Sequence, residues 1–150
     1  MPETAFPRGY ILGFDFGLRR IGVAVGQTTT LTASALQIVR HGKTPDWPAI
    51  DRLVREWQPA LFVVGLPLGA EGEETDMSRA ARRFGTDLGR RFSLDVAYSD
   101  ERLSSQAAAG RFAELRESGG LRRKDASLLD AMAAQIILEN WLRLLDGQGL

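Results

Sequence analysis

The alternation of apolar and polar positions is strand-like in the first third of the chain. Two apolar runs, residues 10–15 and 20–26, are joined by the short segment 16–19, which predicts a β-hairpin with both strands largely buried. A third strand is predicted over residues 31–39, after a turn region at 28–30. Because such short connections join antiparallel neighbours, the three strands are predicted to form a meander.

Beyond residue 45 the pattern changes to helices that alternate with short apolar strands. The first predicted elements are a helix capped by Asp46 and stopped at Gln58-Pro59, a strand over 61–64, a loop over 65–74 and a helix from about Met77. They are followed by a strand over 94–99, a helix from Ser104 that ends at Gly119-Gly120, and a helix capped by Asp125 that runs to about Leu145. The order predicts an α/β fold with a mixed five-stranded sheet, an antiparallel three-strand meander plus parallel strands, flanked by helices. We expect one domain over residues 10–146 and a flexible N-terminal extension over 1–9.

The composition is that of an ordinary soluble globular domain. The chain has 150 residues, of which 44% are hydrophobic and 25% charged. Cysteine is absent, which excludes disulfides, thiolate metal sites and cysteine nucleophiles. We find neither a secretory signal nor an apolar segment near the ~20 residues that span a bilayer. The expectation is a cytoplasmic protein with no membrane partner.

The charges are balanced, so nucleic-acid binding through bulk positive charge is disfavoured. Lys43 and Lys124 are the only lysines among 19 basic residues, and the arginine guanidinium suits bidentate phosphate contacts. A genome rich in GC explains the arginine content equally well. The single histidine, His41, is predicted to be a surface residue in a polar turn, which disfavours histidine catalysis.

Three acidic positions carry the candidate chemistry. Asp15 ends the first apolar strand, and Asp100-Glu101 end the fifth. Asp130 lies on the apolar stripe of the last predicted helix, which continues through Ala134 and Ile137, so it is predicted to face the core. A carboxylate in such a place must be paired, hydrogen-bonded or bound to metal. If the first and fifth strands are parallel, their terminal acids meet at one sheet edge.

Clustered carboxylates repel each other unless a cation lies between them. Oxygen ligands alone favour a hard ion, Mg²⁺ or Mn²⁺, over zinc. Two such ions about 4 Å apart can activate water and stabilise the leaving oxygen of a phosphodiester. The site is therefore predicted to support metal-dependent phosphodiester hydrolysis.

Each of these acids also has a structural alternative. Asp15 before Phe16-Gly17 is compatible with a simple turn residue. Asp100 or Glu101 can pair with Arg102, and the strand alternation alone leaves the choice between them open. Asp125 is interpreted as a helix cap. The basic segment 122–124 is either a clamp on the substrate backbone or a solvated charge run.

Four segments resemble the YqgF/RuvX family. They are Phe14-Asp15-Phe16-Gly17 followed by residues 20–26, Val63-Val64-Gly65-Leu66-Pro67-Leu68, Asp100-Glu101-Arg102-Leu103-Ser104, and residues 130–139. They occur in order from about Ile11 to Leu142. Leu18 departs from the family pattern, in which many members carry a small polar residue at that position.

The resemblance implies a ribonuclease-H-like fold related to Holliday-junction resolvases and a nuclease that matures the 5′ end of 16S ribosomal RNA. The family's acidic positions match Asp15, Glu101 and Asp130, which favours Glu101 over Asp100. These three are the predicted catalytic residues and metal ligands. Substrate contacts are predicted at Arg19, Arg102, Arg122, Arg123 and Lys124. The expected partner is nucleic acid, ribosomal precursor RNA before DNA, bound by a monomer or homodimer.

Other functions are also compatible with parts of the pattern. A non-catalytic ribosome-assembly or RNA-binding factor can use the same scaffold, and an intact acidic triad argues against it. Holliday-junction resolution requires a symmetric dimer. A sugar-kinase-like ATPase needs a second domain and a Gly-rich adenosine loop, for which this chain has no room. The phosphate-binding P-loop motif is absent.

Overall fold

The structure, a computed structural model, describes residues 9–102 and the helix at 123–147. Within that helix, side chains are described for residues 131–146. Residues 1–8 of the predicted N-terminal extension, the helix predicted from Ser104 and the predicted substrate contact Arg122 lie outside the described residues.

Five strands form one mixed sheet. They are β1 (Tyr10–Phe16), β2 (Arg20–Gln27), β3 (Thr32–Arg40), β4 (Leu61–Leu66) and β5 (Val96–Asp100). The strand order is β3-β2-β1-β4-β5, with β1–β2 and β2–β3 antiparallel and β1–β4 and β4–β5 parallel. The predicted mixed sheet is confirmed, and the carboxyl ends of β1, β4 and β5 share one edge.

The described part of the chain contains three helices, α1 (Trp47–Trp57), α2 (Asp76–Phe92) and α3 (Arg123–Gly147). The Asp46 carboxylate caps α1 as predicted, since it accepts a hydrogen bond from the backbone N–H of Ala49. A reciprocal capping box between Thr75 and Ser78 starts α2 one residue before the predicted Met77.

The prediction that Asp125 caps the last helix is wrong. The chain is already helical at Arg123, so Asp125 lies inside the first turn of α3. Carboxylates are favourable both as caps and within the first helical turn, where they meet the positive end of the helix dipole. An aspartate therefore predicts where a helix begins only to within about one helical turn.

The two faces of the sheet pack against different helices. Leu12 and Phe14 of β1 belong to a large apolar layer that includes residues of α1 and α2, among them Ile50 and Phe84. The edge-to-face contact between Phe14 and Phe84 rings, with centroids 5.5 Å apart, ties α2 to the sheet. Side chains of the sheet that point to this face cannot contribute to the opposite face, which packs against α3.

The α3 face has a smaller apolar layer. It is formed by Ile11, Ala24, Leu61, Val63, Ala134, Ile137, Leu138 and Leu142. Within β1 this layer takes the odd-numbered positions, and the α1/α2 layer takes the even-numbered ones. No helix in the described part of the chain is long and apolar enough to cross a membrane.

Candidate functional site

Asp15 projects from β1 onto the α3 side of the sheet. Its neighbours Phe14 and Phe16 are buried in the α1/α2 layer, and successive strand residues point to opposite faces. Asp15 is half-buried and stands opposite Gly22 of β2. Because glycine has no side chain, the sheet surface next to the carboxylate is open on the β2 side.

Glu101 follows β5 directly and lies beside Asp15. On β5, Ala97 packs in the α3 layer and Tyr98 packs in the α1/α2 layer, so the alternation places Glu101 on the α3 side. The backbone N–H of Glu101 donates to the carbonyl of Leu66 at 2.9 Å. The Glu101 side chain is hydrogen-bonded to Asp15. The structure therefore brings two of the three predicted acids together.

Asp100 has a different environment from Glu101. Its carboxylate accepts hydrogen bonds from the guanidinium of Arg102, with Nε at 2.9 Å from Oδ2, and from the Arg102 backbone N–H. The Arg102 hydrogen bond holds the pKa of Asp100 below its usual range. Asp100 thus pairs with the arginine, and Glu101 faces the second acid.

Glu101 and Asp15 share a site that disfavours two negative charges. Burial raises the pKa of Glu101 to about 8, and the negative charge of Asp15 and the hydrogen bond between the two groups add to this effect. At neutral pH and without a cation, the Glu101 carboxyl therefore retains its proton.

Gly65 of β4 makes the close approach of Glu101 possible. A Cβ at this position would lie 2.6 Å from Cδ1 of Ile137 and 3.0 Å from Cγ of Glu101. Any larger residue would have to displace the Ile137 side chain of α3 or the glutamate. From sequence, Gly65 had no predicted role beyond its place in a family-like motif, although a glycine within an apolar strand is a signal for close packing.

Arg102 also joins β5 to the loop that follows β4. Its Nη1 donates to the carbonyl of Ala70 at 3.2 Å, and Gly72, with a φ of 86°, passes close to the same guanidinium. The backbone around Glu101 is therefore fixed by two sets of contacts. One is the hydrogen bond from the Glu101 N–H to Leu66, and the other is formed by Arg102, the next residue in the chain. This arrangement restricts the direction of the Glu101 side chain.

The remaining predicted acid, Asp130, lies on α3, but its side chain is outside the described residues. It precedes Ile137 by seven residues, about 10 Å along the helix axis. The predicted contacts Arg123 and Lys124 lie in the first turn of α3. Among the described side chains, no group of three or more possible metal-ligating residues converges.

A groove of about 370 Å³ adjoins Asp15 on the side away from Glu101. It is lined by Asp15, Gly17, Arg19, Arg20 and Gly22, that is, by the β1–β2 turn and the start of β2. The predicted substrate contact Arg19 is exposed at its rim. The groove therefore combines an acidic end with a basic end.

His41 supports the β1–β2 turn, contrary to its predicted role as a surface residue. Its ring is half-buried, with Nδ1 2.8 Å from the carbonyl oxygen of Gly17, and it packs against Phe16 at a centroid distance of 5.0 Å. The polar residues around His41 suggested a solvated turn. In the structure, His41 directly follows β3 and lies beside the β1–β2 turn. Its backbone N–H donates to the carbonyl of Arg19.

The model of the RuvX family, described as Holliday junction resolvase, matches residues 9–144. This chain belongs to the RuvX family. It is 48% identical over 145 residues to a candidate pre-16S rRNA nuclease of Xylella fastidiosa strain M23, covering 95% of this chain and 94% of the relative. A relative of the same description from Xanthomonas campestris pv. campestris strain B100 is 46% identical over 145 residues, with the same coverage.

The fold of this RuvX member is ribonuclease-H-like. RuvC of Thermus thermophilus, solved in complex with a Holliday junction substrate, superimposes with a TM-score of 0.54 at 18% identity, covering 93% of this chain and 96% of RuvC. The yeast mitochondrial Holliday junction resolvase Ydc2 gives a TM-score of 0.55 at 11% identity, covering 94% and 80% of the two chains. At these identities the likeness establishes the fold.

Proposed function

We propose that this protein is a nuclease that hydrolyses phosphodiesters with the help of a divalent cation. Asp15, Glu101 and Asp130 are the proposed metal ligands and catalytic residues. The proposal depends above all on one observation, the hydrogen-bonded pair of Asp15 and Glu101 at the shared carboxyl edge of β1 and β5. Two partly buried acids held this close repel each other once both are ionised, whereas a cation between them would favour both charges.

The donor atoms fit a hard cation. The pair offers carboxylate oxygens, which suit Mg²⁺ or Mn²⁺. When bound, the cation would supply positive charge that activates water and stabilises the leaving oxygen. Gly65 leaves room for Glu101, and Arg102 directs it by holding the adjacent Asp100 and the loop at Ala70.

The groove next to Asp15 supports a substrate that carries phosphates. Arg19 at its rim can neutralise the backbone of a strand whose scissile phosphate lies at the carboxylates. Arg102, Arg122, Arg123 and Lys124 remain proposed contacts. For Arg102 the substrate would have to share a guanidinium that already donates to Asp100.

The proposed substrate is the precursor of 16S ribosomal RNA, because the relatives named above are described as pre-16S rRNA nucleases. The proposed cleavage is at its 5′ end, as the resemblance to the family implies. A second candidate is the Holliday junction, which the description of the family model favours. The two differ in geometry, since a resolvase needs two sites related by the symmetry of a dimer.

The test is a cleavage assay with three labelled substrates: an RNA that contains the 16S leader, duplex DNA and a four-way DNA junction, each with and without Mn²⁺. We expect Mn²⁺-dependent cleavage of the RNA and a loss of at least about a hundredfold in Asp15→Asn. Asp87→Asn removes an exposed carboxylate of α2 and serves as the matched control.

Symmetric cleavage of the junction in preference to the RNA would establish the resolvase function instead. RNA binding without cleavage in any metal would support a non-catalytic assembly factor. Ca²⁺ is expected to bind while supporting cleavage poorly, because its coordination is looser than that of Mn²⁺.

A further inference from the structure

Two arginines face each other across the antiparallel pair of β2 and β3. Arg20 is in register with Arg40, and the next pair, Ile21 and Val39, is buried in the α1/α2 layer. Directly opposed residues point to the same face, and neighbours along a strand point to opposite faces. Both arginines therefore point to the α3 side of the sheet.

This is the same side on which Asp15 lies. Asp15 stands opposite Gly22, and Arg20 precedes Gly22 by two residues on β2. A line along this face thus runs from the carboxylate of Asp15, past a glycine without a side chain, to Arg20 and then to Arg40. Two strand spacings, about 10 Å, separate β1 from β3.

The surface along this line is accessible and basic. Arg20 and Arg40 are both exposed, and Arg20 lines the groove that begins at Asp15. Arg40 forms no salt bridge with the parts of the chain that the structure describes. Arg19 and Arg20 line the groove together with Asp15, and Arg40 extends the basic surface beyond it through its register with Arg20.

We propose that Arg20 and Arg40 form a phosphate-binding pair that guides the backbone of the nucleic-acid strand from Asp15 across β2 and β3. A guanidinium fork binds a phosphate through paired hydrogen bonds, and two forks on opposed residues can hold one phosphate from both sides. The pair contacts phosphates and no bases, so it sets the register of the strand without selecting its sequence. The inference rests on the proposed function because it assigns a path to the same substrate.

The test measures binding of wild-type protein to a short single-stranded RNA, and to DNA of the same sequence, in EDTA at several salt concentrations. Fluorescence anisotropy of the labelled oligonucleotide gives the affinity. In Arg40→Ala and in Arg20→Ala we expect affinity to fall roughly three- to tenfold, and the slope of log K against log salt to decrease by about 0.7 for each lost phosphate contact. RNA and DNA should be affected alike, because they share the phosphates.

Arg83→Ala is the matched control, since Arg83 is exposed on α2 in the opposite layer. It should leave both the affinity and the salt slope unchanged. Arg40→Lys retains the charge without the fork, and should therefore keep the salt slope while binding more weakly than wild type.

An unchanged salt slope in both Arg20→Ala and Arg40→Ala would overturn the phosphate-binding pair, and so would a loss confined to RNA or to DNA. Circular dichroism of each variant excludes unfolding as the cause. The cleavage assay distinguishes the two proposals. If wild type cuts RNA and both alanine variants bind and cut as wild type does, the arginine pair alone is wrong. If Asp15→Asn cuts at the wild-type rate, the metal site is wrong whatever the arginines do.

Discussion

Replacing Glu101 by glutamine should remove the loss of stability with rising pH that ionisation of Glu101 causes in the metal-free protein. The pKa of Glu101 is raised from 4.5 to about 8, first by burial and then by Asp15. A carboxyl whose pKa is higher in the folded state stabilises the fold while it is protonated. That stabilisation is complete below the unfolded pKa and is lost as pH rises through the folded pKa near 8.

The size of the effect follows from the interval between the two pKa values. At about 1.4 kcal/mol per pH unit, ionising Glu101 over the whole interval would lower the free energy of unfolding by at most about 5 kcal/mol. Between pH 6 and pH 8 the corresponding loss is at most about 3 kcal/mol. Because the side chain is only half-buried and water can reach part of it, we expect about 1–3 kcal/mol in that range.

The assay is urea unfolding, followed by circular dichroism, at pH values from 6 to 8.5 in EDTA. Wild type should lose stability with rising pH relative to Glu101→Gln, because the amide cannot ionise. All other titratable groups are common to both proteins, so the difference between them isolates Glu101. Glu56→Gln, which removes an exposed carboxylate of α1, should follow the wild-type profile.

Adding Mn²⁺ should restore the stability of wild type at high pH and leave Glu101→Gln little changed, because the cation binds the ionised carboxylates. Parallel pH profiles of wild type and Glu101→Gln in EDTA would refute the reasoning. The environment of Glu101 would then be polar enough to accommodate its charge, and the close pair with Asp15 would not form in solution.

Two further predictions concern residues that shape the site. Gly65→Ala should weaken Mn²⁺ binding at least about tenfold and destabilise the fold by about 1–3 kcal/mol, because the added methyl would press on Ile137 and Glu101. Isothermal titration measures the Mn²⁺ affinity, and urea unfolding measures the stability. An Mn²⁺ affinity equal to that of wild type would contradict the close packing at Gly65. Arg102→Ala should lower kcat about tenfold or more, because Glu101 loses its support, and should also raise KM for RNA, because a proposed substrate contact is lost. A rise in KM with unchanged kcat would contradict the positioning of Glu101 by Arg102. Arg91→Ala removes a bidentate ion pair of the same kind between α1 and α2 and should change neither constant.

The strands, helices and sheet layout followed from short-range features of the sequence. The alternation in residues 10–26 predicted the hairpin, and Asp46 predicted the start of α1. These features are local, since a side chain or a neighbouring strand satisfies them within a few residues. Even here the last helix starts earlier than Asp125, because a carboxylate is favourable at several positions of a first turn.

The identity of the two acids that meet was decided by the tertiary structure. From sequence, Asp100 and Glu101 were equivalent until the family resemblance favoured the second. In the folded chain, the face taken by β5 and the hydrogen bond from Glu101 to Leu66 turn Glu101 toward Asp15, and Arg102 engages Asp100.

The local sequence pattern also could not predict close approaches between segments that are distant in the chain. The contact of Gly65 with α3, the support of the β1–β2 turn by His41, and the opposition of Arg20 to Arg40 all depend on strand register and on which helix covers which face. Alternation along a strand predicts that the side chains of neighbouring residues point to opposite faces of the sheet. Only the assembled sheet determines which face carries the carboxylates and the arginines, because long-range packing makes that choice.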